Sequence, residues 1–198
     1  MLLTLRGTPF LYYGEEIGMR DVRLRYHQLR DPYTRRYRPF FTGRDPARTP
    51  MQWDDSPSAG FTTGVPWLPV SPDYQQINVA RQSQDPASSL SLYWRLIRLR
   101  WAFPALTVGT SREIEGGPSD CLIYVREKRE GTGKQPGQGE SLLIVINFSA
   151  EPKSFSLPSL QSGTVLLSTD PSSREQSFNP RHIHLNPEEG ILVHLRAS

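Results

Sequence analysis

The second half of the chain alternates apolar and polar residues over short runs, and this period of two is typical of β-strands. Two runs show it most clearly, CLIYVRE at residues 121–127 and SLLIVINF at residues 141–148. Three more, at residues 153–157, 164–168 and 191–195, follow with turn-forming residues between them. Strands of this number and spacing predict an antiparallel β-sandwich, in which a polar loop rich in glycine, lysine and glutamine joins the first two.

The clearest helical pattern precedes these strands. Asp85 is a favourable N-cap and Pro86 is tolerated at the first helical position, so a helix is predicted to begin there and to end before Pro104. Apolar side chains recur at steps of three and four, at Leu90, Tyr93, Leu96, Ile97 and Trp101, while Arg95, Arg98 and Arg100 lie largely off this stripe. The change of period predicts a domain boundary near residues 104–106.

The chain opens with a continuous apolar run from Leu2 to Tyr12, which ends at Gly14. Such a run predicts a strand buried on both faces, as in a parallel sheet. Residues 20–42 lack any period and predict a long loop. Residues 54–70 continue irregularly, and Phe61 and Trp67 are expected to fill the interior of that segment.

The net charge is only +3, but nine arginines and no lysine lie between residues 20 and 48. A cluster of this kind can bind nucleic acid. No zinc-ligand spacing or RNA-binding aromatic pattern accompanies it, so we interpret the stretch as a solvated loop and expect no nucleic-acid partner.

Composition limits the class of protein. No apolar run reaches the length of a transmembrane helix, and the first residues lack the basic start and long apolar core of a signal peptide. We therefore expect no membrane association, and we interpret Met1 as an internal methionine or an early start. The single cysteine, Cys121, excludes an intramolecular disulfide and a multi-cysteine metal site, which favours a cytoplasmic location.

Residues 43–53, GRDPARTPMQW, carry the densest candidate chemistry. Two prolines stiffen this stretch, Arg44 and Arg48 offer guanidinium donors in a fixed geometry, and Trp53 adds a flat apolar face. Such a loop suits a ligand dense in hydroxyl groups, such as a sugar. The alternative is structural, a buried Asp45–Arg48 ion pair that only braces a long loop.

Two other pairs invite a chemical interpretation. Glu15 and Glu16 are adjacent, and adjacent side chains on a strand point to opposite faces, so they cannot flank one bond together. We expect them to cap a turn or to anchor loop arginines. His182 and His184 share one face of a possible strand, but no Cys, Asp or Glu at a suitable spacing accompanies them, so no metal site is predicted.

Four stretches together resemble the end of a family 13 glycoside hydrolase. They are GTPFLYYGEEIGM at residues 7–19, GRDPARTPMQWDDSPSAGF at residues 43–61, WLPV at residues 67–70 and IN at residues 77–78. Within that family they are most similar to the branch of α-glucosidases, oligo-1,6-glucosidases and trehalose synthases. The resemblance is close over the first half of the chain and general over the second.

The resemblance implies a fold that is α/β plus all-β. Residues 1–105 would form the end of a (β/α)8 barrel, namely its eighth strand, the loop after it and its eighth helix. Residues 106–198 would form the antiparallel β-sandwich domain. It also implies that the complete barrel acts on an α-glucoside or a short oligosaccharide.

The resemblance places the nucleophile, the general acid and a third, sugar-clamping carboxylate before the first residue of this chain. It therefore implies no catalytic residue, cofactor or metal here, and the chain alone is not expected to be a working glycosidase. In that branch an arginine after strand eight binds the non-reducing-end glucose. The matching position is Arg44 or Arg48, and Arg44 is preferred because Asp45 and Arg48 have the pattern of an internal brace. Trp53 is expected to pack beneath the loop.

Several functions stay open at this stage. Hydrolysis and glucosyl transfer of the trehalose-synthase type are equally compatible with the motifs. A different class is a non-catalytic carbohydrate-binding or interaction module of the same fold, as in the heavy-chain ectodomains of amino-acid transporters. Linkage preference and oligomeric state have no sequence signal.

Overall fold

The computed structural model describes residues 1–37, 40–41, 43–128, 139–173 and 177–196. These residues form two compact units, one containing Phe10–Trp94 and the other containing Met1–Pro9 together with Arg95–Ser198. Most of the polar loop predicted between the first two strands, residues 129–138, lies outside the described residues. The boundary predicted near residues 104–106 concerns the domains of a complete family member and stays a prediction.

Helices are short in the described part of the chain, with one exception of 14 residues. They are α1 (Pro32–Tyr37), α2 (Val79–Gln82), α3 (Ser89–Ala102) and α4 (Pro104–Thr107). Short 3₁₀ segments occur at Glu15–Ile17, Tyr26–Gln28, Asp45–Arg48 and Pro57–Gly60. Among the described residues, no helix combines the length and apolar character needed to cross a membrane.

The unit that contains residues 95–198 is built on antiparallel strands. They are β1 (Thr110–Glu113), β2 (Cys121–Lys128), β3 (Glu140–Asn147), β4 (Lys153–Phe155), β5 (Gly163–Ser168), β6 (Ser177–Phe178), β7 (Ile183–Leu185) and β8 (Gly190–Leu195). A six-stranded sheet has the order β1-β2-β3-β8-β5-β6, and β4 pairs with β7 in a second sheet. The strands predicted from the period of two are confirmed, and β1 and β6 are additional.

The two sheets share one apolar core. Ile123, Val125, Val145 and Val193 contribute from the large sheet, and Leu185 contributes from the small one. Helix α4 packs against β2 and β3, where its Leu106 is fully buried. The large sheet therefore carries apolar side chains on both faces along its central strands.

The first residues of the chain form turns, and the strand predicted from Leu2 to Tyr12 is wrong for this chain. A strand needs neighbours that pair its N–H and C=O groups, and no described strand runs beside these residues. Arginine side chains take the carbonyl groups instead. Arg100 donates to the carbonyls of Leu3, Leu5 and Gly7 at 2.8, 3.1 and 2.5 Å, and Arg126 donates to that of Thr4 at 2.8 Å.

Helix α3 is confirmed, but it begins later than predicted. Asp85 accepts a hydrogen bond from the N–H of Ala87 in a turn, and the hydroxyl of Ser88 accepts from the N–H of Ser91 at 3.1 Å. Ser88 is therefore the N-cap, because its side chain satisfies a donor of the first turn. The predicted stripe is wrong at two positions. Trp101 was expected to be buried but is 84% exposed, and Arg100 was expected to lie off the stripe but is only 8% exposed.

The unit that contains residues 10–94 has two small apolar clusters. Ile17, Met51 and Leu90 form one, and Leu24, Leu29 and Leu68 form the other. Phe61 and Trp67 were expected to fill the irregular segment, but both are about half exposed. The expectation is wrong because smaller residues fill that interior, chiefly Ala59 and Leu68.

Candidate substrate-binding site

The loop of residues 43–53, named the arginine loop from here on, contains the 3₁₀ turn Asp45–Arg48, which has Pro46 near its start. Proline suits this position because it fixes φ and lacks an N–H that the first turn would leave unpaired. Arg44 directly precedes the turn and is exposed, whereas Arg48 closes it and is half-buried. The two predicted substrate-binding residues therefore differ in accessibility within one turn.

Asp45 is the buried anchor of this loop. It is 1% exposed, and its Oδ2 accepts hydrogen bonds from the backbone N–H groups of Arg30 at 2.7 Å and Asp31 at 2.8 Å. Among the described residues no ion pair joins Asp45 to Arg48. The Asp45–Arg48 ion pair considered from the sequence is therefore wrong, because two backbone amides supply the donors that the buried carboxylate needs.

Gly43 fixes the other side of Arg44. Its φ is 79°, and a Cβ at this position would overlap the side chain of Thr34 on α1. Thr34 is fully buried and donates a hydrogen bond to Asp31 Oδ2 at 3.1 Å. The backbone of Arg44 is thus held between a close contact with α1 and the Asp45 carboxylate, while its guanidinium is open to a ligand.

Arg48 has a more structural environment than Arg44. The Tyr13 hydroxyl donates to the carbonyl of Thr49 at 2.9 Å. Burial raises the pKa of Tyr13, the adjacent Tyr12 raises this pKa further, and the positive charge of Arg48 opposes both. Arg48 therefore lies near the Tyr13 phenol and is less accessible than Arg44.

Trp53 borders the same loop with half of its surface exposed, so it does not pack beneath the loop as expected. The backbone N–H of Trp53 donates to the carbonyl of Ala59 at 2.9 Å, within a turn of left-handed backbone. The φ angles of that turn are 58° at Ser58, 57° at Ala59 and 65° at Gly60. This turn fully buries Ala59 and leaves the indole accessible.

Gln52 contributes to the site and was missed by sequence reasoning. Its side chain is fully buried, and its Nε2 donates to the carbonyl of Ile77 at 2.8 Å and to Asp73 Oδ1 at 3.2 Å. The backbone carbonyl of Gln52 accepts from the N–H of Val79 at 3.0 Å. Gln52 therefore ties the arginine loop to the segment before α2. The only sequence signal was a polar residue between two large apolar ones.

The structure also shows the surroundings of the Glu15–Glu16 and His182–His184 pairs. Glu16 Oε2 accepts from the N–H of Gly14 at 2.8 Å, so this carboxylate caps the 3₁₀ turn Glu15–Ile17, as one of the two expectations held. His182 and His184 line one cavity of about 80 Å³, and Nδ1 of His184 lies 3.0 Å from the hydroxyl of Ser154. Among the described residues, no group of three or more His, Cys, Asp or Glu side chains could hold a metal ion.

Comparisons with known proteins agree on one family. Residues 1–109 match the model of the alpha-amylase catalytic domain. The oligo-1,6-glucosidase of Parageobacillus thermoglucosidasius is 38% identical over 172 residues, which cover 78% of this chain and 29% of that protein. A probable alpha-glucosidase of Rhizobium meliloti is 44% identical over 158 residues, which cover 80% of this chain and 27% of that protein.

Structure comparison gives the same result. The crystal structure of the trehalulose synthase from Pseudomonas mesoacidophila matches with a TM-score of 0.78 and 34% identity. That match covers 98% of this chain and 37% of the synthase. The chain thus spans less than a third of the length of the two curated relatives, at 29% and 27%. The family model covers more than half of the sequence, and the chain belongs to the alpha-amylase family, family 13 of the glycoside hydrolases.

Proposed function

We propose that this chain forms the C-terminal part of an α-glucosidase-like hydrolase that acts on α-glucosidic bonds of short oligosaccharides in the cytoplasm. Residues 1–105 supply the end of the (β/α)8 barrel, namely the loop after its eighth strand and its eighth helix, and residues 2–12, which form turns and irregular backbone in this chain, occupy the position of the eighth strand. Residues 106–198 supply its C-terminal β-sandwich. The nucleophile and the general acid come from barrel strands that are not part of this sequence.

The environment of Arg44 carries the proposal. A residue that binds a sugar hydroxyl needs a fixed backbone and donors that are not already used. Arg44 meets both conditions, because Asp45 and Gly43 hold its backbone and its side chain is exposed. In this role Arg44 donates hydrogen bonds to the non-reducing-end glucose, and Arg48 supports the turn.

Isomerisation is the second candidate, since one of the similar structures is a trehalulose synthase. An isomerase and a hydrolase both begin with the same cleavage and differ in the acceptor, which is a sugar hydroxyl or water. Arg44 would bind the same glucose in either reaction. Chromatography of the products from sucrose separates the two, because an isomerase releases a second disaccharide while a hydrolase releases monosaccharides.

A chimeric enzyme tests the assignment. The last part of the Parageobacillus oligo-1,6-glucosidase is replaced by this entire chain, and hydrolysis of p-nitrophenyl α-glucoside is measured. Arg44→Ala is expected to lower kcat/KM by about a hundredfold, the effect of losing a charge-assisted hydrogen bond or two. Arg81→Ala is the control, because Arg81 is also exposed, lies on α2 and has no proposed role. A folded, active chimera in which Arg44→Ala keeps its full kcat/KM contradicts the role of Arg44.

A second measurement addresses the part-protein assignment directly. An antibody against residues 151–170 is used to determine the mass of the native protein in its source cell. A band much heavier than 22.5 kDa is expected. A band at that mass contradicts the assignment, whatever the chimera shows.

A further inference from the structure

Helix α1 presents two consecutive exposed arginines, Arg35 and Arg36. Arg44 lies close to the same helix in space, because the residue before it, Gly43, packs against Thr34. Consecutive helical residues point about 100° apart, but both side chains are long and flexible, so both guanidinium groups can reach one small ligand at the surface of α1. We name Arg35 and Arg36 the arginine pair.

Asp31, which directly precedes α1, and Asp45, which accepts from the backbone N–H of Asp31, are already occupied by hydrogen bonds. Asp31 accepts from the N–H of Tyr33 at 3.0 Å and from the hydroxyl of Thr34 at 3.1 Å. Asp45 accepts from two backbone N–H groups, as described above. The ion pairs found within the described ranges are Arg112–Glu127 and Lys153–Asp120, and neither includes the arginine pair. The positive charge of the pair is therefore not balanced by a described carboxylate.

Each of the two guanidinium groups lies over a tyrosine ring. The Cζ of Arg35 lies 5.9 Å from the ring centroid of Tyr26, and the Cζ of Arg36 lies 5.8 Å from that of Tyr37. Stacking on a ring restrains the flat face of a guanidinium and leaves its N–H edge for an acceptor. Such restraint lowers the entropy lost when an anion binds.

Further aromatic surface lies beside these stacks. The ring of Tyr33 is 4.4 Å from that of Tyr37 and 5.5 Å from that of Phe41, measured between centroids. Tyr33 and Tyr37 are both about half exposed. Exposed aromatic rings next to guanidinium donors suit a ligand that joins an anionic group to a small ring.

We propose that the arginine pair binds the phosphate group of a small phosphomonoester, either a sugar phosphate or free inorganic phosphate. Phosphate presents several acceptor oxygens and about two negative charges, and arginine binds it through two parallel N–H donors. A nucleic-acid strand is disfavoured because it needs many phosphate contacts along a groove, and this surface lies on a helix of 6 residues. The inference is independent of the proposed hydrolysis, because it concerns binding and not bond cleavage.

Calorimetric titration of the full chain tests the proposal. The probes are inorganic phosphate, glucose 6-phosphate, glucose and single-stranded oligothymidylate. Glucose 6-phosphate is expected to bind more tightly than glucose, and high salt is expected to weaken its binding. The double variant Arg35→Gln/Arg36→Gln should weaken glucose 6-phosphate binding at least about tenfold, since hydrogen bonds to a charged group are lost.

A charge-matched control separates a defined site from general attraction. Arg112→Gln/Arg181→Gln removes the same charge from exposed positions in the other unit and should leave the affinity unchanged. Circular dichroism confirms that both double variants fold. Equal affinity for inorganic phosphate and glucose 6-phosphate assigns the site to free phosphate, which supports the proposal. Absence of binding of both inorganic phosphate and glucose 6-phosphate, equal effects of the two double variants, or tight binding of oligothymidylate alone overturns it.

Discussion

Arg126 donates a hydrogen bond of 2.8 Å to the backbone carbonyl of Thr4, a residue 122 positions earlier in the chain. The same guanidinium donates to the carbonyls of Thr110 at 3.2 Å and Gly109 at 3.0 Å. Arg126 is fully buried, and burial lowers its pKa, as does the nearby charge of Arg100. Backbone dipoles therefore stabilise a buried cation that no described carboxylate neutralises.

Replacing Arg126 by methionine removes all three hydrogen bonds and leaves buried carbonyl groups without donors. We expect Arg126→Met to lower the free energy of unfolding by about 4 kcal/mol. Urea denaturation followed by circular dichroism measures the change. Arg112→Met is the matched control, since Arg112 lies on the neighbouring strand with a side chain 58% exposed, and it should cost no more than about 0.5 kcal/mol. Equal destabilisation by the two variants would show that the carbonyl contacts of Arg126 contribute little.

Asp45→Asn tests how the arginine loop is held. The amide keeps the size of the carboxylate but is a weaker acceptor for the N–H groups of Arg30 and Asp31. We expect a loss of about 1–2 kcal/mol in unfolding free energy and faster hydrogen exchange at these two amides. Asp55→Asn, at an exposed neighbouring position, should change neither quantity. Unchanged exchange at Arg30 and Asp31 in Asp45→Asn would refute the anchoring role.

Two substitutions in the left-handed turn of residues 58–60 are expected to have opposite effects on thermal stability. Ser58 has a φ of 58°, which costs a non-glycine residue about 1 kcal/mol, so Ser58→Gly should raise the melting temperature slightly. Gly60 also has a positive φ, and a Cβ there would lie 2.5 Å from Asp54 Oδ2, so Gly60→Ala should lower it. Differential scanning fluorimetry measures both. The same direction of change for the two variants would be incompatible with this backbone geometry.

The Asp120–Lys153 ion pair predicts a pH dependence. Its Nζ and Oδ2 atoms are 2.6 Å apart, and the hydrogen bond lowers the pKa of Asp120 and raises that of Lys153. The contribution of Asp120 is present above its ordinary pKa of about 3.9 and is lost as the pH falls through the lowered value. That of Lys153 is present below its ordinary pKa of about 10.4 and is lost as the pH rises through the raised value.

Between these limits the pair stabilises the fold. Asp120→Asn should therefore lower the urea midpoint at about pH 7, and its difference from the parent protein should shrink as the pH falls through the lowered pKa of the Asp120 carboxyl. Glu115→Gln, at an exposed position, serves as the control for the general effect of one lost charge. A difference between Asp120→Asn and the parent that persists unchanged in acid would exclude titration of this pair as its cause.

The sheet was predictable because its strands carry a local signal. The runs at residues 121–127 and 141–148 became β2 and β3, which pair along their whole length from Cys121–Asn147 to Lys128–Glu140. Arg126 was not predictable, since a charged residue near the end of a strand usually lies at the surface. Its acceptors at Thr4 and Gly109 are brought to it only by the tertiary fold.

The helix start and the arginine loop show a second limit. Asp85 and Ser88 are both good N-cap residues, and local rules cannot choose between them. The structural alternative, a buried Asp45–Arg48 ion pair, was right about the burial of Asp45 and wrong about its partner. Backbone amides, such as those of Arg30 and Asp31, are present at almost every position and leave no mark in a sequence pattern.

Strand β8 has a consequence for how the protein is made. It follows every other described strand of this sheet in the chain, yet it lies between β3 and β5, and within the described sheet it is the strand that connects β5 and β6 to the rest. The ribosome must therefore release residues 190–195 before this sheet can close, although its other strands are already available. A stop codon shortly before Gly190 would remove β8 and would leave the β5–β6 pair unconnected to β1, β2 and β3.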